Sequence, residues 1–507
     1  MKVMKNNMII FVTLLMMQGI ATSCNDWLEV DSSANIMEEN LFESPDGYRT
    51  AVNGIYRLLA APELYGRNLT WGVASVLGNN YEASRLPGGS TSSAISYREL
   101  AAGDYENSYS IALIDPIWEQ GYKVIANANN LIAYVEKQDT AFFPYKTVEK
   151  NMILGEMLGV RAMMHFDLLR LFAPAIKADD GKTYIPYVTV FPDKEPQHLT
   201  VSATLERIIA DLEQAKTLLA YCDTVFNASN FSSYTNRLQP SGGISATTFF
   251  TVRGTRMNYF AASAVLARAY QWRSGAGDAE RAYHAALDVY RYSTDKTWYQ
   301  FTPSSNMAVT ENNVFRKMPH DILLALYNNQ MYNLVSAATV NTSNQSFFLK
   351  NDVHLFTGDG DDFRLTSLIN TDKTSRRWSM PTGNQTGSPT ANVIRYQGPL
   401  APVVRLSEMI YIMCEYLSDR DLPQAVGLLG KVRLARGAKA TLSPALSKED
   451  FLQMLHIEMT REFMSEGQTF FLYKRLNEPV YNGVVSMNMD GRYVLPIPHS
   501  EMSYINL

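Results

Sequence analysis

The chain has 507 residues, 46% hydrophobic and 19% charged, with 45 basic against 50 acidic side chains and a formal net charge of -5. That composition supports a sizeable buried core and excludes disorder, collagen and coiled coil as descriptions of the whole chain. A mild acidic excess with no long basic block argues against nucleic acid as a partner, since that affinity comes largely from neutralised phosphates.

Lys2 and Lys5 precede an apolar run from Met8 to Met17, and Ala21-Thr22-Ser23-Cys24 follows. The run is shorter than the roughly 20 residues a spanning helix needs, and it suits the core of an export signal. A cysteine after small residues at the expected cleavage point resembles the lipobox of bacterial lipoproteins. Residues 1–23 are therefore expected to be removed and Cys24 to carry the lipid, where two or three acyl chains anchor stably and one does not. Asn25 to Asn40 holds Asp26, Glu29, Asp31, Glu38 and Glu39 with no basic residue, and residues 24–45 read as an acidic tether.

Helical periodicity dominates from there. It predicts helices over about 46–61, 116–137, 153–173, 202–220, 257–274, 278–292, 406–417, 422–436 and 448–466. Ala261-Ala262-Ser263-Ala264 and Ala282-Tyr283-His284-Ala285-Ala286 place small residues where two helices approach closely, the packing logic of helix-pair repeats. Residues 62–110, 222–256 and 293–400 are polar, aromatic and too long to be connections, with Ile322 to Leu326 reading as a strand. The expected architecture is mainly α: one domain over 46–507, its helix pairs mainly in 116–292 and 402–467, with irregular insertions near 62–110 and 293–400.

Catalytic signatures are missing from the sequence. Its seven histidines include no His-Glu-x-x-His or paired metal-ligand spacing, and there is no Gly-x-Ser-x-Gly elbow, P-loop or dinucleotide fingerprint. Gly358 to Asp362 fails the calcium-loop pattern because Phe363 stands where a ligand is needed; calcium there lacks motif support, and no cofactor is expected. Glu458, Glu462 and Glu466 share one helical face with Arg461, and read as a charged face closing on basic neighbours rather than as acid-base chemistry. Cys222 and Cys414 read as buried small hydrophobes.

In the C-terminal third, Pro402 to Tyr411 (PVVRLSEMIY), Leu428 to Gly437 (LLGKVRLARG), Glu458 to Gly467 (EMTREFMSEG) and Val494 to Pro498 (VLPIP) resemble the SusD/RagB family in order and spacing. Earlier matches are Trp27-Leu28, Ala51 to Tyr56, Trp118 to Asn130, Val160 to Phe166 and Asp211-Leu212. Met459, Gln468 and Phe471 depart from residues common in the family. Locally, Arg405 and Glu408 lie i, i+3 at a helix start, Pro402 suits a position just before or at the first turn, and Gly467 suits a left-handed cap after a helix end.

The resemblance implies four tetratricopeptide-like helix pairs in a protein that is not an enzyme. Its expected role is that of a surface lipoprotein on the outer face of the outer membrane, capturing an oligosaccharide for a SusC-like TonB-dependent transporter. Uptake of peptides, as in RagB-like members, and a protein-docking scaffold without a small ligand are the alternatives.

Sugar rings call for flat aromatic platforms and planar hydrogen-bonding groups. Arg67, Asn68, Trp71, Asn79, Asn80 and Tyr81 supply that mixture in the first insertion. The resemblance adds an aromatic loop in the second, which points to Trp298, Tyr299, Tyr327 and Tyr332, and Trp378 between polar neighbours is a third candidate. On this reading, alanine at Trp71 or Trp298 weakens glycan binding and leaves the melting temperature almost unmoved. Trp27, Trp118 and Trp272 are assigned to packing.

Overall fold

The computed structural model describes residues 40–88, 96–193, 195–239, 246–307, 315–339, 346–350, 352–378, 397–481, 483 and 485–501. Cys24, Trp27 and the expected tether up to residue 39 lie outside them. The chain divides into two units, one ending at Ala51 and one spanning Val52–Leu507. In the first, the Phe42 and Tyr48 rings meet at 4.9 Å and Arg49 pairs with Asp46. Helix α1, Pro45–Leu59, begins there; proline suits a first helical position and Asp46 complements the positive helix end.

The second unit is built on eight helices: α2 Ser108–Lys137, α3 Lys146–Phe172, α4 Val201–Tyr221, α5 Tyr259–Arg273, α6 Asp278–Thr294, α7 Leu406–Leu417, α8 Leu422–Ala435 and α9 Lys448–Glu462. In chain order they make four successive pairs, and each helix packs on the next. Side-chain caps mark five of these starts. Asn107 accepts from the Tyr109 N–H, Thr200 from Ala203, Asn258 from Ala261, Asp421 from Gln424 and Ser447 from Asp450.

Helix α2 starts eight residues earlier than the periodicity suggests and runs through Pro116. Proline removes one backbone bond, and burial of Leu113, Ile114, Ile117 and Trp118 around it offsets that loss. Small residues set the close spacing. A Cβ at Gly155 of α3 would stand 2.8 Å from the Leu219 side chain of α4, so these two helices approach over a glycine. Helix α5 buries Ala261, Ala262, Ala264, Ala267 and Ala269.

The run at 322 is a strand. Strands β1, Thr183–Pro186, and β2, His198–Thr200, form one antiparallel pair; strand β3, Ile322–Tyr327, pairs antiparallel with β4, Leu400–Arg405, with Ile322 opposite Arg405 and Tyr327 opposite Leu400. Pro402 therefore sits inside β4 opposite Ala325, not at a helix start. A two-stranded ribbon leaves each strand an outer edge, where a residue lacking an N–H is tolerated. Asn258 Nδ2 donates to the Leu323 carbonyl and ties the ribbon to the start of α5.

Helix α9 stops at Glu462, and a further helix, α10, Gln468–Leu476, follows. Gly467 is left-handed as expected, at φ +83, but it opens α10 instead of closing α9. Among the described residues no helix is long and apolar enough to cross a membrane.

Candidate functional site

The two inserted regions meet. The Glu82 N–H donates to Phe348 O, the Lys350 N–H to Asn80 O and the Ser346 N–H to Arg85 O, with Tyr81 bridged to Leu349. Residues 80–85 and 346–350 thus form one short ladder. Lys350 Nζ reaches Asn79 Oδ1 at 3.3 Å, and the Arg85 guanidinium lies 3.5 Å over the Phe348 ring.

Most of the named aromatics, however, face inward. Trp71 is 2% exposed, its Nε1 donates to Gly66 O, and its ring meets Phe347 edge-on at 5.4 Å. Tyr81 and Tyr97 close on the same Phe347 ring at 5.1 Å, and Tyr81 OH donates to Trp71 O. Burial raises both phenols, Tyr97 to about 12. Asn68 Nδ2 donates to Leu113 O, and Asn80 Nδ2 to Gly78 O while its Oδ1 accepts from the Ser465 N–H. These residues hold the insertion on the helix stack, and Trp71, Asn79, Asn80 and Tyr81, expected to face a ligand, are each buried.

Tyr299 is fully buried against Phe260 at 5.1 Å, with Arg237 over its ring. Trp378 is also buried; its Nε1 donates to Ser465 O, and Lys317 Nζ lies 3.4 Å over its ring. Both are packing residues in this structure, as are Trp118 and Trp272. Solvent reaches four of the candidates. Tyr327 is 47% exposed at the end of β3, while Trp298 and Arg67 are half-buried. Trp298 stacks on Phe231 at 6.0 Å, and Arg67 Nε donates to Asn68 Oδ1 at 3.2 Å. Tyr332, half-buried, packs so closely on Gly398 that a Cβ there would meet its ring at 2.1 Å. Sequence composition could nominate these rings but could not separate exposed from buried ones, because aromatic residues of both kinds fill the same insertions.

The carboxylate row at the C-terminal end is structural. Glu458 binds Arg364, Arg433 and Arg461, and Glu462 binds Arg364, Arg405 and Arg436. Burial pushes the Glu462 carboxyl up, but Arg405 and Arg436 outweigh it and hold the group well below its usual range. Glu466 lies beyond the helix end and takes Arg405 and Arg377. Arg405 therefore does not pair with Glu408, which instead receives a bidentate Arg268 at 2.6 Å. In the Gly358–Asp362 turn, Asp359 is bound by Arg433 and Arg461 and Asp362 by Arg364. Those carboxylates are engaged by arginine, and among the described residues no His, Cys, Asp or Glu group is placed to hold a metal ion. Cys222 and Cys414 are free and buried, and burial pushes the Cys222 thiol up to about 12.

Residues 69–234 match a protein family described as SusD-like, starch-binding and associating with the outer membrane. No curated protein sequence matches the chain. Among solved structures, a SusD superfamily protein from Bacteroides thetaiotaomicron superposes with a TM-score of 0.66 at 24% identity, covering 91% of this chain and 98% of that one. A putative sugar binding protein from Bacteroides vulgatus gives 0.65 at 19% identity, over 91% and 96%. Surface glycan-binding protein A from Bacteroides thetaiotaomicron gives 0.61 at 12% identity, over 92% and 98%. The chain thus shares the fold of these proteins over most of its length, and residues 69–234 match the SusD-like family.

Proposed function

We propose that the protein is a glycan-binding lipoprotein of the outer membrane, anchored through Cys24, that captures an oligosaccharide at the cell exterior and passes it to a SusC-like TonB-dependent transporter without chemistry of its own. The observation that carries this reading is the joining of two polar, aromatic insertions on one helix stack, in a fold shared with proteins named for sugar and glycan binding. A rigid scaffold that presents loops is the usual way to build a recognition surface. Tyr327, Trp298 and Arg67 are the ligand-facing candidates that burial leaves available, and the carboxylates most suggestive of acid-base work are locked in ion pairs.

A glycan array followed by calorimetry tests the reading. Tyr327→Ala is expected to weaken binding about tenfold, which corresponds to about 1.4 kcal/mol, with the melting temperature unchanged. Unaltered affinity would remove Tyr327 from the site. Cys24→Ser is expected to release the protein from the membrane fraction.

A further inference from the structure

Helices α3, α5 and α10 meet at a small cavity of about 30 Å³, lined by Arg170, Trp272, Gln468 and Phe471 together with Glu408 and Met459. That is above the roughly 10–15 Å³ one water needs and far below the about 300–1,000 Å³ of an organic-ligand site. Two N–H donors on its walls find no protein acceptor. The Arg170 guanidinium lies between the Phe471 ring at 3.9 Å and the Phe166 ring at 4.7 Å, donates to Asp167 and Gln468, and keeps its Nε–H unbonded. The Trp272 indole, edge-on to the same Phe166 ring at 6.0 Å, keeps its Nε1–H unbonded as well. Both residues are 2% exposed, and buried donors in folded proteins are almost always paired with protein, water or an ion.

The surrounding charges favour an anion over water. Arg170 binds Asp167, Arg268 binds Glu408 and Arg475 binds Glu415. Lys474 Nζ donates to the carbonyls of Arg170, Leu171 and Tyr493 and, among the described residues, to no carboxylate. These four cations thus share three carboxylates. Burial and the Arg170 guanidinium press Lys474 toward its neutral form, and a negative charge beside Arg170 opposes that pressure. Met459, Gln468 and Phe471, noted above as departing from residues common in the resembled family, all line this cavity, and none of them carries a charge. A water accepting both N–H bonds must also place its own hydrogens, and Glu408 and Gln468 Oε1 already accept from arginine; a halide only accepts. We infer that the cavity is a site for one chloride-sized anion, held by Arg170 Nε–H and Trp272 Nε1–H and joining α3, α5 and α10. It is independent of the glycan-binding reading.

The test uses crystals of the wild-type protein grown in bromide, with anomalous diffraction recorded at the bromine edge. A bromide peak in contact with both Arg170 Nε and Trp272 Nε1 is the expected result. A water there without anomalous signal, or bromide at surface positions only, overturns the inference. In solution, a ligand that binds only the folded chain raises its melting temperature with concentration. The wild type is therefore expected to melt higher in sodium chloride than in sodium gluconate at equal ionic strength, and equal melting temperatures overturn the inference. Gln468→Glu changes a half-buried side chain with almost no change in shape and brings a fixed negative charge to Arg170. Loss of both the bromide peak and the chloride response is expected in this variant. Persistence of both would overturn the charge argument on which the choice of an anion rests.

Discussion

A single ring illustrates what burial decides. Trp71 has the right chemistry for a sugar platform, yet its indole is enclosed by Phe347 and hydrogen-bonded to Gly66 O. Trp71→Ala is therefore expected to cost about 3–5 kcal/mol in unfolding free energy, read as a fall in denaturation midpoint. Unchanged stability would place the ring at the surface after all. His165 makes a second residue-level prediction. It is fully buried, with Nδ1 bonded to Arg161 O and Nε2 accepting from the Val188 N–H, so the neutral ring is the form that fits. Burial lowers its pKa to about 3. Because the unfolded chain takes up a proton near pH 6.5 and the folded chain does not, this stability is fully present above pH 6.5. It is lost by about 1.4 kcal/mol per unit as pH falls from there toward 3. Urea midpoints at pH 7 and pH 5 check it: His165→Gln should show a shallower fall than the wild type.

Between elements, the helices were the legible part of the sequence. Their apolar spacing, alanine runs and capping residues are local signals, and eight of the expected segments became α2–α9 with shifted ends. Contacts between distant segments carry no such signal. Nothing near Pro402 announces that β3 pairs with β4, and nothing in the 346–350 run announces its partner at 80–85. The departures at Gln468 and Phe471 make sense only in three dimensions: Arg170 donates to Gln468 Oε1 at 3.2 Å, stacks 3.9 Å over Phe471 and binds Asp167. The turn into α10 is equally constrained. Gly467 is left-handed, and a Cβ there would come 2.4 Å from Leu69 O. Gly467→Ala should destabilise by more than the roughly 1 kcal/mol of an ordinary glycine replacement. A stability within error of the wild type would contradict that packing.

At the scale of the molecule, buried ion pairs join segments far apart in sequence. Glu462 alone links Arg364, Arg405 and Arg436, and Arg436 also binds Asp321. Removing one member strands the others without water, at a cost of about 3–5 kcal/mol. Glu462→Gln is expected to lower the unfolding free energy by that amount, and a neutral result would show the network to be dispensable. The same arrangement leaves these carboxylates unsuited to proton transfer and supports reading the protein as a binder.

The most direct measurement of that central claim is calorimetry of the purified protein against array-selected glycans, with the recovered glycan analysed for cleavage. The account predicts saturable binding and an unaltered glycan. Absence of binding across the array, or cleavage by the protein alone, would contradict it.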